Sequence, residues 1–231
     1  NEIGTIEPVE EIGKIAHEHD ILFHTDAVQA VGKIPIDLSK LPIDLLSLSS
    51  HKIYGPKGVG ALYHKNDITF DPLLEGGGHE KGKRSGTLNT PGIVGLGKAC
   101  ELSKKRLTTD IKTLEKLRNY LINELNEIQA STLNGHPTKR LVNNVHFRFS
   151  AVEGNALHSL LDEKGVYVAT GSACSSKKIQ ASHVLLALGL SPEEAISSIR
   201  FTLGRLTIKK DLDYILPIVK KSIDHLRSIS P

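Results

Sequence analysis

The chain has 231 residues, with 29 lysines and arginines against 26 aspartates and glutamates, and a net charge of +3 at neutral pH. That length can bury one large core or two smaller ones, and interspersed charges of both signs exclude the clustered basic stripe of a dedicated nucleic-acid surface. No apolar run approaches the length of a membrane span, so a soluble, cytoplasmic protein is expected.

Cys100 and Cys174 are far apart and have no paired spacing, which argues against a disulfide framework or a zinc site and for reduced thiols. The chain has no methionine and opens on Asn1-Glu2-Ile3-Gly4. It therefore reads as a fragment or a processed chain, and a transit peptide would lie in the missing part.

In chain order, Pro8 sits where a helix accepts it at its first position, and Val9, Ile12, Ile15 and Ala16 repeat at helical spacing up to Asp20. Ile21 to Thr25 reads as a buried strand ending at Asp26, Asp44 to Ser49 as a second, and Val59 to His64 as a third. Strands alternating with helices imply an α/β layer with a mainly parallel sheet, in which ligands bind beyond the carboxyl ends of the strands. Residues 75–90 form a long polar loop rich in glycine, a site element rather than a linker. From Pro91 the pattern is helical, with one stripe at Ile93, Leu96, Gly97 and Cys100 and a continuation at Leu107, Ile111, Leu114, Leu117, Leu121 and Leu125.

A domain boundary is placed near Thr108, giving domains 1–107 and 108–231. The second alternates again: strand Val142 to Phe149, helix Asn155 to Lys164, strand Val166 to Ala169, helix Pro192 to Ser197, strand Ser198 to Leu203 and helix Lys209 to Arg227. This predicts a smaller α+β domain.

Lys52 follows the apolar run Leu45-Leu46-Ser47-Leu48 and Asp26 ends a similar run, so a lysine and an aspartate arrive from the ends of neighbouring strands. Pyridoxal phosphate requires such a pair, the amine for its aldehyde and the carboxylate for its pyridine nitrogen. A lone lysine beside a glycine turn is ordinarily a surface residue, and a strand-end aspartate ordinarily a helix cap. Here Ser49 and His51 flank Lys52 with groups able to donate to phosphate, and Gln29 lies about one turn beyond Asp26. Cys174 lies among small residues in Gly171-Ser172-Ala173-Cys174-Ser175-Ser176, before Lys177 and Lys178. An exposed thiol there would tend toward the thiolate a nucleophile needs, although a small residue packed at a strand end is an equal reading. Cys100 reads as a small core hydrophobe. Arg200, inside the strand-like run Ser198 to Leu203, suits a carboxylate in bidentate geometry or a structural ion pair. His17, His19 and His24 have no matching carboxylate cluster, so no metal site is expected.

Taken together, His24-Thr25-Asp26-Ala27-Val28-Gln29, Ser49 to Gly58, Gly76 to Thr87, Gly171-Ser172-Ala173-Cys174 and Ser198-Ile199-Arg200-Phe201 resemble the cysteine desulfurases of the class V aminotransferase family. The resemblance covers essentially the whole chain in the right order. It implies a fold type I pyridoxal phosphate enzyme working as a homodimer, with residues 1–107 the C-terminal part of the large domain, and converting L-cysteine to L-alanine with transfer of the sulfur. By the motif matches, Lys52 is the Schiff-base lysine, Asp26 the pyridinium partner and Gln29 the donor to the cofactor's phenolic oxygen. Ser49 and His51 hold the phosphate, helped by Thr87 reaching across to the partner subunit's site. Arg200 binds the substrate carboxylate, Asn1 sits close to it and to the ring oxygen, and Cys174 accepts the sulfur as a persulfide. The Ser-Ala-Cys-Ser-Ser segment resembles the subgroup that delivers sulfur to an iron–sulfur scaffold or a tRNA-thiolation enzyme. Alternatives are a selenocysteine lyase or another class V enzyme, and a catalytically silent interaction module, since the family's N-terminal cofactor elements are absent from these residues.

Overall fold

Gly13 decides how the first helix packs. A Cβ on it would lie 2.3 Å from the Pro42 carbonyl and 2.9 Å from the Phe23 ring, so α1 (Val9–Glu18) approaches its neighbours along Gly13, with Val9 on the same cluster. Ile12 and Ile15, expected on the buried stripe, are instead 42% and 56% exposed. A hydrophobic count cannot see this face, because its close approach requires the smallest residue. Pro8 stands just before the helix, as its cap.

The computed structural model describes residues 1–171 and 181–229, and by internal contacts the chain divides into residues 7–108 and a unit of residues 1–6 with 109–231. No helix among the described residues is long and apolar enough to cross a membrane.

In the 7–108 unit, β1 (His24–Asp26) pairs parallel with β2 (Leu45–Ser49), and β3 (Gly60–His64) pairs antiparallel with β2. Residues 50–59 are too short for the crossover a parallel pairing needs, which sets the direction of β3. The register places Asp26 beside Ser47, and alternation puts Asp26, Ser47 and Ser49 on one polar face. Leu46 and Leu48 face the other way, toward Ala27, Ile43 and Phe23. The strand expected at Ile21 to Thr25 is shorter and shifted: Ile21 and Leu22 are 59% and 60% exposed, and Phe23 alone turns inward, its N–H donating to the buried Asp44 carboxylate at 2.7 Å. Among the described residues β1 pairs with β2 alone, so its apolar start has a strand neighbour on one side.

α2 (Thr90–Asn126) buries Leu96, Ala99 and Ser103 in this unit. Cys100 is partly buried against the cluster of Ile53, Leu96 and Ala99, whereas Ile93 and Gly97 of the expected stripe are exposed.

In the other unit, β4 (Ser131–Leu133), β5 (Asn144–Phe149) and β6 (Ser198–Thr202) form an antiparallel sheet with β5 central. Helices α3 (Gly154–Asp162) and α6 (Lys209–Ile229) and the later turns of α2 pack on it through Leu121, Leu125, Leu157, Leu161, Val219 and Ile223. Burying each of these side chains contributes about 2 kcal/mol. Short helices α4 (His183–Ala187) and α5 (Pro192–Ile196) precede β6, the latter opened by a reciprocal cap between Ser191 and Glu194. The strand expected at Val166 to Ala169 reduces to one bridge, Ala169 with Arg200, because the chain turns away through Gly171 at φ +59°. Residues 1–6 dock on this unit: Leu141 N–H donates to the Gly4 carbonyl at 2.8 Å and Ile6 N–H to that of Lys139 at 3.0 Å.

Candidate functional site

The site residues read from the sequence fall into two clusters, one in each unit. In the 7–108 unit, β1 ends at Asp26, whose Oδ1 accepts the Val28 N–H at 2.9 Å. The Ala27 carbonyl accepts the N–H groups of Ala30 and Val31, both at 2.9 Å, which closes the turn carrying Gln29. Asp26 thus caps a turn while its carboxylate stays exposed. On the same polar face, His24 Nε2 and Ser47 Oγ lie 2.8 Å apart.

β2 runs directly into a 3₁₀ turn, Ser50–Ile53, that is anchored at both ends. Ser50 is fully buried, its N–H donating to the Val59 carbonyl at 3.1 Å and its carbonyl accepting Gly55 N–H at 3.0 Å. A Cβ at Gly55 would fall 2.2 Å from Ser50 Oγ, so glycine is required for this closure, and Tyr54 leaves the turn at φ +69°. Ile53 is buried against Leu96 and Ala99. The two anchors leave His51 and Lys52 exposed between them, with Ser49 Oγ 2.9 Å from His51 Nδ1. The cluster therefore offers a carboxylate, an amide, a hydroxyl–imidazole pair and a primary amine at the carboxyl ends of two parallel strands. Thr87 is exposed in the irregular segment before α2.

Two features here carry no clear signal in the sequence. Asp44 is buried and accepts from Lys65 Nζ, Phe23 N–H and His17, each at 2.7 Å. Lys33, half-buried, donates from Nζ to the Lys52 carbonyl at 3.3 Å.

In the second unit, Arg200 Nη1 donates to the Asn1 carbonyl at 3.3 Å. Asn144 Nδ2 donates to the carbonyls of Glu2 at 3.0 Å and Asn1 at 3.5 Å, and its side chain lies where a Cβ on Gly4, at φ +83°, would collide at 2.7 Å. Arg140 is 2% exposed and spreads its donors over four carbonyls: Ile3 at 3.0 Å, Asn134 and His136 at 3.2 Å each, and Asn144 at 3.3 Å. This guanidinium staples residues 1–6 to β5 and to the turn after β4.

His146, beside Arg200 in the register, accepts from Asn134 Nδ2 through Nδ1 at 3.0 Å. Burial first, then the charges of Arg200 and Arg140, push its pKa down to about 3, so it is neutral with its proton on Nε2. Glu2 Oε1, Asn144 Oδ1, His146 Nε2 and Arg200 Nε are buried and find no hydrogen-bond partner among the described residues. Such atoms, one of them on Arg200 itself and one on its register partner His146, are able to take up further donors and acceptors. Glu2, Arg140, Asn144 and His146 escape sequence reasoning, since Lys139-Arg140 looks like any basic surface pair. Cys174 lies outside the described residues.

The aminotransferase class-V family model matches residues 1–215. The cysteine desulfurase IscS of Methanosarcina thermophila is 52% identical over 231 residues, which cover all of this chain and 57% of that protein. A NifS-like protein from Rickettsia africae superposes with a TM-score of 0.90 at 30% identity, over 96% of this chain and 59% of that one. Another NifS-like protein superposes at 0.88 with 37% identity, over 97% and 58%. The chain thus spans less than two thirds of the length of these relatives.

Proposed function

Because the chain belongs to the class-V aminotransferase family, we propose that the protein is a pyridoxal phosphate-dependent cysteine desulfurase, turning L-cysteine into L-alanine and retaining the sulfur as a persulfide on Cys174. Residues 1–107 are assigned to the C-terminal part of the large cofactor-binding domain and residues 108–231 to the small domain. The observation that carries the reading is the delivery of Asp26 and of Ser49, His51 and Lys52 from the ends of two parallel strands in register.

The donor set fits the cofactor group by group. The exposed Asp26 carboxylate suits a protonated pyridine nitrogen, Gln29 a ring oxygen, the Ser49–His51 pair a phosphate, and the Lys52 amine an aldehyde. The chemistry that pyridoxal phosphate supplies when bound is electron withdrawal from the substrate α-carbon. Lys52 Nζ takes the α-proton and returns a proton to the product, and Asp26 holds its negative charge where the ring charge needs it. Arg200, already tied to the Asn1 carbonyl, is assigned to the substrate carboxylate, and Thr87 to the phosphate at a partner subunit's site in a homodimer. The Cys174 thiolate attacks the substrate sulfur: an S–S bond forms, the C–S bond breaks, and its electron pair stays with the three-carbon unit that leaves as alanine after protonation. A sulfur-acceptor protein, an iron–sulfur scaffold or a tRNA-thiolation enzyme, then takes the outer sulfur.

The test is product analysis with the whole protein, pyridoxal phosphate and L-cysteine. Alanine and persulfide sulfur are expected in equal amounts, and Cys174→Ser is expected to keep the yellow colour and cysteine binding while losing persulfide and sulfide. Sulfide release by Cys174→Ser at the parent rate would overturn the nucleophile assignment.

A further inference from the structure

Lys33 lies at the end of the loop that carries Asp26 and Gln29, and the chain there is pressed against the turn that carries Lys52. A Cβ at Gly32, φ +74°, would meet Ser103 Oγ at 2.3 Å and Ile53 Cγ2 at 3.0 Å, so the approach is closer than any other residue allows. Val31 packs on the same cluster as Ile53. The Lys33 N–H donates to the Ala30 carbonyl at 2.9 Å, and its Nζ returns to the Lys52 carbonyl at 3.3 Å. Burial, followed by the charge of Lys52, holds the Lys33 amine down at about 8. Its hydrogen-bond acceptor is thus a neutral carbonyl and the charge acting on it is another cation. Such a group is costly to bury, and ordinary packing would put its head in water.

We propose that Lys33 is a positioning residue for Lys52, tying the carbonyl of Lys52 to the loop of Asp26 and Gln29 and keeping a second amine beside the Lys52 turn. The proposal rests on the reading of Lys52 as the cofactor's lysine. The tie joins the part of the cradle that faces the pyridine nitrogen to the part that carries the reactive amine. Without it, the 3₁₀ turn keeps its anchors at Ser50 and Ile53 but loses its fastening to the loop.

The test uses the whole protein as Lys33→Met, Lys33→Arg and Lys33→Gln, with Lys52→Ala as reference. Two quantities are read: the rate of pyridoxal phosphate loss from the yellow protein, and amide exchange across residues 50–55 in the cofactor-free protein, followed by peptide mass. For Lys33→Met, loss of one charge-assisted hydrogen bond predicts cofactor release faster by about threefold to tenfold. Amide exchange across residues 50–55 should quicken by a similar factor, because the turn has lost its fastening to the loop. Lys33→Arg should restore both values, and Lys33→Gln, which keeps a donor without charge, should restore them in part. Gln also serves if Met fails to fold. Parent values for both quantities in Lys33→Met or Lys33→Gln would overturn the proposal. If Lys52→Ala keeps the parent's yellow spectrum, the Lys52 reading itself fails, and the exchange across residues 50–55 still decides the Lys33 contact.

Discussion

Arg140→Met would unfasten the first residues of the chain from the unit on which they dock. The side chain satisfies the carbonyls of Ile3, Asn134, His136 and Asn144. Leaving a buried acceptor unmet costs about 1–3 kcal/mol, so four of them set an upper range of several kcal/mol. Against this, methionine fills much of the volume and removes a buried charge that has no carboxylate partner among the described residues, which recovers several kcal/mol. A net loss of about 3 kcal/mol follows. It falls first on residues 1–6, which would retain the Asn144 side-chain bonds, the Arg200 bond to the Asn1 carbonyl, the His136 N–H bond to Thr5 Oγ1 and the backbone bonds to Leu141 and Lys139. Amide exchange at Ile6 and Leu141 reads this local opening directly, and 3 kcal/mol corresponds to about a hundredfold faster exchange. Because Arg200 donates to the Asn1 carbonyl, the KM for L-cysteine should rise more than kcat falls. Arg140→Lys, with three donors in place of five, should recover part of the protection. Exchange within threefold of the parent in Arg140→Met would refute the staple.

Two further outcomes concern the 7–108 unit. Burial alone would raise the pKa of Asp44, but Lys65, the Phe23 N–H and His17 outweigh it and hold the carboxyl down at about 2. A depressed carboxyl adds stability that is full above the unfolded value near 4 and is lost as pH falls through 2. Asp44→Asn should therefore cost about 1–2 kcal/mol at pH 7, allowing for the partial exposure of Lys65 and His17. The difference from the parent should shrink between pH 4 and 2, as read by urea midpoints across that range. Gly13→Ala forces a methyl to 2.3 Å from the Pro42 carbonyl, and should lower stability by about 2 kcal/mol despite alanine's better helix propensity; thermal melting checks this.

The exposed residues of the candidate site were more legible than those that hold them in place. Asp26, Ser49, His51 and Lys52 could be read because each is polar at the end of an apolar run, and period-2 alternation carries over to the register that sets Asp26 beside Ser47. The helices at Asn155 to Lys164 and Lys209 to Arg227 were visible for a similar reason, since Leu157, Leu161, Val219 and Ile223 recur at helical spacing and are buried. What escaped depends on partners distant in sequence. Arg140 is a core residue only because four carbonyls converge on it, and Gly13 lies on the packing face of α1 only because Pro42 and Phe23 come within touching distance. Ile21, Leu22, Ile12 and Ile15 mislead in the opposite sense: apolar residues signal a wish for burial, and whether a neighbour grants it is decided elsewhere in the fold. Val166 to Ala169 has strand composition, yet pairs at a single residue because the turn at Gly171 follows at once.

The most direct test of the account is to locate the cofactor covalently. The whole protein, loaded with pyridoxal phosphate, is reduced with borohydride and its peptides are mapped by mass. The account predicts a single phosphopyridoxyl group on Lys52, lost in Lys52→Ala together with the yellow absorbance. A stoichiometric adduct on Lys33 or any other lysine, or an unchanged chromophore in Lys52→Ala, would contradict it.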